Sequence, residues 1–176
     1  IEACRARSGR IFAVVNNHMP FTYGDALLPV DHIDHALEVS TPLPEARPAA
    51  PDDASQRIGD LVAARVPMGA TLQAGIGAIP DATLGALAGH KGLRIWTETF
   101  SDGVLELDRC GALDTGHPLT TSFLMGTRDL YDWVDGNPRV RMMRTERTND
   151  PSVIALQRSM TSINTALEID LFGQAN

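Results

Sequence analysis

Two neighbouring segments, LQAGIGAIPDATLGAL (residues 72–87) and RIWTETFSDG (residues 94–103), decide the fold expected for this chain. Each begins with a short apolar run that is typical of a buried strand, and a helix is predicted to follow each. In the first segment, Gly75 and Gly77 lie at the turn, and Pro80 suits the first helical turn because its missing amide is not needed there. In the second, Glu98 follows the strand. The two segments therefore predict two strand–turn–helix units.

The same alternation of strands and helices extends along the chain. Strands are predicted over 11–16, 35–40, 71–74, 93–96, 119–124, 139–143 and 163–171, and helices over 53–66, 80–89, 102–110, 127–134 and 151–160. Because strands alternate with helices after residue 53, we expect an α/β fold with a mainly parallel sheet and flanking helices.

The helix over 53–66 is the most regular of these predicted helices. Asp53 or Ser55 is expected to cap it, since both residue types accept hydrogen bonds from free helical amides. Its apolar residues at helical spacing are expected to face the core: Ile58, Leu61, Val62 and Val66. Before it, residues 41–53 contain four prolines. Proline removes backbone donors and restricts its neighbours, so this stretch predicts a linker and a domain boundary.

Composition narrows the class of protein. The chain has 176 residues, of which 43% are hydrophobic and 21% charged, as in a globular protein. Its net charge of −7 and only 15 Lys and Arg residues argue against nucleic acid as a partner, because phosphate backbones require concentrated positive charge. The one basic run, residues 139–147, is interpreted as a solvated face. No apolar run is long enough for a membrane span. Cys4 and Cys110 predict reduced thiols and a cytoplasmic protein.

The glycine-containing turn has both a structural and a functional interpretation. Glycine lets the backbone approach a ligand closely, and a helix N-terminus adds partial positive charge, so a phosphate or a developing oxyanion would fit here. A dinucleotide site is poorly supported because Pro80 stands where the third glycine of that fingerprint would be. A nucleotide P-loop is excluded because no Gly-Lys-Ser/Thr sequence follows. From these residues alone, a purely structural turn stays the alternative.

Glu98 has two interpretations as well. Ligands of open α/β sheets bind outside the carboxyl ends of the strands, and both Gly75 and Glu98 lie at such ends. A glutamate in a loop is nevertheless most often a solvated surface residue. Position alone therefore leaves both a catalytic and a surface role open.

The sequence also resembles a known family. LQAGIGAIPDATLGALAGHKGLRIWTETFSDGVLEL, with VVNNHMPFTYGDALLPVDHIDHALE and PLPE before it, is similar to the acetyl-CoA hydrolase/transferase family, relatives of 4-hydroxybutyrate CoA-transferase among the class I CoA-transferases. The segments GTRDLYDWVDGNPRV, TNDPSVIALQ and SINTALEIDLFGQAN extend the resemblance to nearly the whole chain. The GIGAIPDA and TE-x-FSDG segments are its most specific parts.

The resemblance implies a role for each matching segment. The glutamate of TE-x-FSDG is the family's nucleophile, which places that role on Glu98. The GIGAI segment implies a coenzyme A site formed by Gly75, Ile76, Gly77, Ala78 and Ile79. The Gly173–Gln174 pair is implied to line the same site, with a plain turn as its alternative. The substrates implied are an acyl-CoA and a small carboxylic acid, and the family habit implies a homo-oligomer.

The resemblance also implies a domain organisation. Family members have two similar α/β domains and are more than twice as long as this chain. We therefore expect an incomplete part of a two-domain protein: residues 1–45 as the tail of the first domain, 46–51 as a proline-rich linker, and 52–176 as the start of the second, catalytic domain. Hydrolysis of acetyl-CoA at the same site and a non-catalytic CoA-binding module are the alternatives to CoA transfer.

No metal site is predicted. The sequence Asp-His-Ile-Asp-His at residues 31–35 concentrates residue types that bind metals. Surface loops often have such a composition, and no distant cysteine or histidine partner is evident in the sequence. We therefore interpret these residues as a loop rather than as a metal centre.

Overall fold

A computed structural model describes residues 2–25, 27–47 and 50–176 of the chain. Its strands are β1 (Phe12–Asn16), β2 (Tyr23–Gly24), β3 (His35–Val39), β4 (Thr71–Ala74), β5 (Arg94–Ile95), β6 (Thr99–Phe100), β7 (Leu119–Thr121), β8 (Phe123–Leu124), β9 (Val140–Met142) and β10 (Met160–Ile163). Its helices are α1 (Glu2–Ala6), α2 (Asp53–Ala63), α3 (Ala78–Ala86), α4 (Asp102–Arg109), α5 (Arg128–Val134), α6 (Thr145–Thr148) and α7 (Pro151–Ile154), and a 3₁₀ turn spans Val30–His32.

The strands pair in parallel. One set has the order β10-β4-β5 and another the order β7-β9-β2. A parallel bridge between Trp96, which follows β5, and Thr120 of β7 connects them. The combined order is therefore β10-β4-β5-β7-β9-β2, with β6 and β8 pairing in parallel beyond β5 and β7. The predicted α/β fold with a mainly parallel sheet and flanking helices is confirmed.

The core lies where this sheet meets its helices. Leu72, Ile95, Leu119 and Val140 come from four successive strands and are at most 3% exposed. Leu84, Leu105 and Leu130, from α3, α4 and α5, are buried in the same cluster. Burial of each such side chain stabilises the fold by roughly 1.5–3 kcal/mol. Short apolar strands separated by helices therefore bury themselves on both faces, as the sequence pattern indicates.

The N-terminal part contributes to two sheets. β1 pairs in parallel with β3 from Phe12–His35 to Asn16–Val39, whereas β2 pairs with β9 at the edge of the main sheet. Pro48 and Ala49 of the predicted linker lie outside the described residues. The division into residues 1–45, 46–51 and 52–176 stays a prediction.

Helix α2 differs from its predicted form at both its start and its buried face. Its N-cap is Asp52, whose side chain accepts a hydrogen bond from the Ser55 amide at 2.8 Å, rather than Asp53 or Ser55. Ile58 and Leu61 are 40% and 53% exposed. The helix instead buries Gly59 and Ala63. Small residues allow α2 to lie very close to α3, with Ile58 and Leu61 on the outer side. Val62 packs partly buried against the core, and Val66, beyond the helix end, is buried as predicted.

Adding a methyl group at Gly59 is expected to destabilise the protein. A Cβ there would lie 2.8 Å from the Ala82 carbonyl carbon and 2.9 Å from the Thr83 amide nitrogen, both of which are backbone atoms of α3. Because backbone cannot move aside cheaply, Gly59→Ala should lower the free energy of unfolding by about 1–2 kcal/mol, despite the better helix propensity of alanine. Urea denaturation measures this change, and unchanged or increased stability would contradict it.

Two other predicted elements are wrong in extent. The helix predicted over 151–160 ends at Ile154, and Leu156 is 83% exposed. The strand predicted over 163–171 ends at Ile163. The alternating residues Leu167, Ile169 and Leu171 are 92%, 70% and 102% exposed, and Ile169 makes only an isolated antiparallel bridge with Ala175. Their alternating pattern is typical of a strand, but β10 ends at Ile163, before these residues begin. Among the described residues, no helix is both long and apolar enough to cross a membrane.

Candidate active site

The first wall of the candidate site is the turn between β4 and α3. The strand ends at Ala74, as predicted, whereas the helix begins at Ala78, two residues earlier than predicted. Gly77 precedes the helix with φ +119° and ψ 179°, a backbone conformation that only glycine adopts readily. The glycine at this position therefore allows a strand to turn directly into a helix at the sheet's carboxyl edge.

Backbone hydrogen bonds decide which amides of this turn remain available. The Gly75 amide donates to the Ile163 carbonyl at 3.0 Å, which continues the pairing of β4 with β10. Within the described residues, the amides of Ile76 and Gly77 have no hydrogen-bond acceptor. The first amides of α3 also lack acceptors inside the helix, as at every helix start. An anion at this turn would therefore meet amides after Gly75, not that of Gly75 itself.

Glu98 lies at an interruption shared by two parallel strands. It separates β5 from β6, and its carbonyl accepts hydrogen bonds from the amides of Ser122 and Phe123, both at 2.8 Å. The buried hydroxyl of Thr121 lies 3.0 Å from the same carbonyl. This convergence of donors fixes the backbone of Glu98, while its side chain stays half-buried.

A polar network supports this interruption from behind. Thr148 is fully buried, and its hydroxyl lies 2.7 Å from that of Ser122. The Trp96 indole donates to the Thr148 carbonyl at 2.9 Å. These two hydrogen bonds attach α6 to Trp96, which precedes Glu98 on its own strand, and to Ser122, whose amide donates to the Glu98 carbonyl.

Glu98 and the glycine turn share one pocket. Its volume is about 220 Å³, and the residues lining it are Gln73, Ala74, Gly75, Ile76, Thr97, Glu98, Thr99 and Asn164. The structure therefore brings together Gly75, Ile76 and Glu98 from the predicted site. Gln73, Thr97 and Thr99 were not predicted. Gln73, Thr97 and Asn164 share one signal, since each lies within two residues of the carboxyl end of β4, β5 or β10, whereas Thr99 begins β6 and carries no such signal.

A second pocket lies on the other side of the glycine turn. Its volume is about 380 Å³, and it is lined by Ala46, Arg47, Ile76, Gly77, Ala78, Asp81, Ser101, Asp102 and Met125. Ile76 borders both pockets, whereas Gly77 and Ala78 line only the second. Ile79, Gly173 and Gln174 are not among the described residues that line either one. Gln174 instead closes a turn, in which its amide donates to the Asp170 carboxylate at 2.9 Å.

The second pocket contains an acidic group with an altered pKa. Burial raises the pKa of Asp81 above its usual 3.8, the hydrogen bond from Ser101 at 2.9 Å opposes this, and the nearby charge of Asp102 adds to it. A carboxyl whose pKa is raised by folding destabilises the folded protein above both pKa values. That penalty disappears as pH falls through the folded pKa and below the unfolded one.

Asp81→Asn is therefore expected to stabilise the protein at neutral pH. The asparagine oxygen can still accept the hydrogen bond from Ser101, but no charge is buried beside Asp102. The melting temperature at pH 7 should rise by about 1–3 °C, and the gain should shrink as the pH approaches 4. Thermal unfolding at both pH values measures this.

Asp114→Asn is the matched control for this change. A hydrogen bond from the Gly116 amide holds the pKa of Asp114 below its usual value, so its charged form stabilises the fold. Removing that charge should lower the melting temperature at pH 7. A lower melting temperature for Asp81→Asn as well would contradict the assigned sign.

The histidine-rich sequence at residues 31–35 forms other contacts. His35 stacks on Phe12 with ring centroids 5.0 Å apart, and the Asp34 carboxylate accepts the Ile11 amide at 2.7 Å. Within residues 2–25, 27–47 and 50–176, no group of three or more His, Cys, Asp or Glu residues is arranged to hold a metal ion.

Comparison with known proteins relates this geometry to a family. Residues 126–176 match the acetyl-CoA hydrolase/transferase C-terminal domain. The chain is 44% identical over 170 residues to 4-hydroxybutyrate coenzyme A transferase of Clostridium kluyveri, and the match covers 93% of this chain and 40% of that protein.

Solved structures give the same result. The crystal structure of 4-hydroxybutyrate CoA-transferase from Porphyromonas gingivalis matches with a TM-score of 0.90 and 40% identity over 98% of this chain and 46% of that one. RipA from Yersinia pestis matches with a TM-score of 0.92 and 31% identity over 99% of this chain and 42% of that one. The chain thus spans less than half the length of these relatives. Across that span, it belongs to the acetyl-CoA hydrolase/transferase family.

Proposed function

We propose that the intact protein containing this chain is a CoA-transferase that moves coenzyme A between a short-chain acyl-CoA and a carboxylic acid. The observation that carries the proposal is the shared pocket of Glu98 and the glycine turn. The substrate class follows from the family, and the pocket contains the Glu98 carboxylate next to the glycine-containing turn.

The first half of the proposed reaction makes Glu98 the nucleophile. A carboxylate oxygen of Glu98 attacks the thioester carbonyl, and the electron pair of that carbonyl moves to its oxygen. Collapse of this oxyanion expels the CoA thiolate and leaves an anhydride between the acyl group and Glu98. A half-buried carboxylate suits this role because partial removal of water makes it a better nucleophile.

The second half of the reaction conserves the thioester. The CoA thiolate attacks the glutamyl carbonyl of the anhydride, the acyl group leaves as a free carboxylate, and a glutamyl-CoA thioester forms on Glu98. A second carboxylate then attacks this thioester and reverses both steps, so it leaves as its own CoA ester. No ATP is required because one thioester replaces another.

The turn after β4 is the proposed donor to the oxyanion. Gly75 cannot serve through its amide, which is bonded to Ile163, so the amide of Ile76, which borders the Glu98 pocket, takes this role. Loss of one such donor typically lowers the rate on the order of 100-fold or more. The segment from Gly75 to Ile79 is proposed to contact coenzyme A, and Gly173–Gln174 to join that site in the intact protein.

Mass spectrometry of the intact protein with acetyl-CoA tests the proposal. Without an acceptor acid, a CoA-sized mass should be added to the peptide that contains Glu98, because the reaction stops at the glutamyl-CoA thioester. Treatment with hydroxylamine or excess acetate should remove this mass. Absence of an adduct together with measurable turnover would overturn Glu98 as the nucleophile.

Hydrolysis of acetyl-CoA at the same site is the second candidate, because the matched family includes hydrolases as well as transferases. The two reactions differ in whether water or a carboxylate attacks the glutamyl intermediate. Release of free CoA from acetyl-CoA, measured with and without a second carboxylic acid, separates them. Continuous CoA release without the acid would favour the hydrolase.

The proposed partners follow from the same chemistry. Acyl-CoA and small carboxylic acids are the proposed substrates, and the net charge of −7 makes nucleic acid an unfavourable partner. We propose a cytoplasmic homo-oligomer that does not bind membranes. Light scattering of the intact protein measures its oligomeric state.

A further inference from the structure

The side chain of Thr97 replaces a backbone contact between the two strands that carry the proposed site. Strands β4 and β5 pair through Thr71–Arg94 and Leu72–Ile95, and the Trp96 amide makes the next bond, to the Leu72 carbonyl. The Thr97 amide then donates to the other neighbouring strand, to the Thr120 carbonyl at 3.1 Å. From this residue onward, the backbone of the Glu98 strand no longer bonds to β4.

The Thr97 hydroxyl continues that pairing. It donates to the Ala74 carbonyl at 2.9 Å and accepts from the Ala74 amide at 3.2 Å. Thr97 is 2% exposed, so water cannot easily replace either bond. Ala74 directly precedes Gly75, and Thr97 directly precedes Glu98. This pair of hydrogen bonds therefore links the backbone immediately before the glycine turn to the backbone immediately before the carboxylate.

Threonine has the properties that this link requires. A hydroxyl group can donate and accept at once, whereas both groups of Ala74 would be left unsatisfied beside an apolar side chain. Branching at Cβ restricts the χ1 angle, which holds the hydroxyl in one direction. Valine has nearly the same shape without the hydroxyl, and serine keeps the hydroxyl without the methyl group.

We propose that Thr97 is a positioning residue that sets the distance between Glu98 and the amides of the glycine turn. This inference rests on the proposed function, in which Glu98 attacks the thioester while the turn binds the oxyanion. Thr97 acts through the two backbone segments that it joins, not as a nucleophile or proton donor. A displacement of about 1 Å between reacting groups can lower a rate on the order of 100-fold.

Two Thr97 variants and one matched control test this inference in the intact protein. Thr97→Val should slow formation of the CoA adduct on the Glu98 peptide roughly 10- to 100-fold at saturating acetyl-CoA, with little change in KM. Thr97→Ser should stay within about threefold of the wild type, since it keeps the hydroxyl. Thr71→Val removes another buried hydroxyl, which donates to the Arg158 carbonyl at 2.8 Å from the opposite end of β4.

The control separates positioning from general stability. Both variants should lower the melting temperature, and Thr97→Val should do so more, because it leaves two backbone groups unpaired whereas the Arg158 carbonyl still accepts the Thr71 amide. Only Thr97→Val should slow adduct formation. Equal adduct rates in these two variants, with a normal adduct in the wild type, would overturn the role of Thr97 alone. Absence of the Glu98 adduct in the wild type would overturn the proposed function, and this inference with it.

Discussion

Replacing Glu98 by alanine is expected to lower the rate of CoA transfer by about 10⁴-fold or more, while the protein stays folded. The size of the effect follows from the proposed chemistry, since both the anhydride and the glutamyl-CoA thioester form on this side chain. The fold should tolerate the change because the carbonyl of Glu98, not its side chain, receives the hydrogen bonds of the Ser122 and Phe123 amides. Steady-state rates with acetyl-CoA and a second carboxylic acid measure the loss.

Glu106→Ala is the matched control for this experiment. Glu106 lies on the solvent side of α4, where its carboxylate pairs with Arg109 at 2.8 Å and is 62% exposed. Exposed ion pairs contribute little to stability, so this variant should keep both its activity and its melting temperature. A loss of less than tenfold in Glu98→Ala, with this control unchanged, would contradict the nucleophilic role.

The central strands and helices could be predicted because their signals are local. Strand β4 has the bounds predicted from its apolar run, and α4 and α5 differ from the predicted helices by one residue. Buried parallel strands are short and apolar, and glycine, proline or aspartate marks the turns between them. Such signals require no knowledge of which strands become neighbours.

The interruption at Glu98 could not be predicted because it depends on a neighbouring strand. The sequence predicts one strand over 119–124, but β7 ends at Thr121 and β8 begins at Phe123. The break occurs where two successive amides, those of Ser122 and Phe123, converge on the Glu98 carbonyl. The residue pattern of either segment alone does not reveal this contact, because the two segments are distant in sequence.

The candidate site shows the same division between local and distant information. The proximity of Gly75 and Glu98 follows from their places at the ends of adjacent parallel strands, and the structure brings them into one pocket. The Gly75 amide is not available to a ligand because it donates to the Ile163 carbonyl. This bond depends on β10, a strand that is distant from β4 in sequence. Positions at strand ends can therefore predict which residues form a site. Which of their amides are free to donate depends on the hydrogen bonds of the complete sheet.

Gly77→Ala is expected to weaken both the fold and the proposed reaction through backbone conformation alone. A Cβ at this position would meet no atom within 4 Å, so no steric overlap contributes. Alanine strongly disfavours φ near +119°, and holding it there should lower the free energy of unfolding by about 1–3 kcal/mol. If the turn relaxes instead, the neighbouring Ile76 amide changes its orientation at the Glu98 pocket, and the rate of CoA transfer should fall roughly 10- to 100-fold.

Gly85→Ala, in the helix that follows this turn, isolates the backbone effect. A Cβ at Gly85 would also lie in open space, but its φ is outside the positive range, and it occupies an exposed helical position. Alanine there should stabilise α3 by about 0.5–1 kcal/mol and leave the transfer rate unchanged. Urea denaturation and steady-state kinetics on both variants measure the contrast. Because the two substitutions add the same methyl group to open space, equal stabilities and equal rates would show that the conformation at Gly77 is not required for the turn or for catalysis.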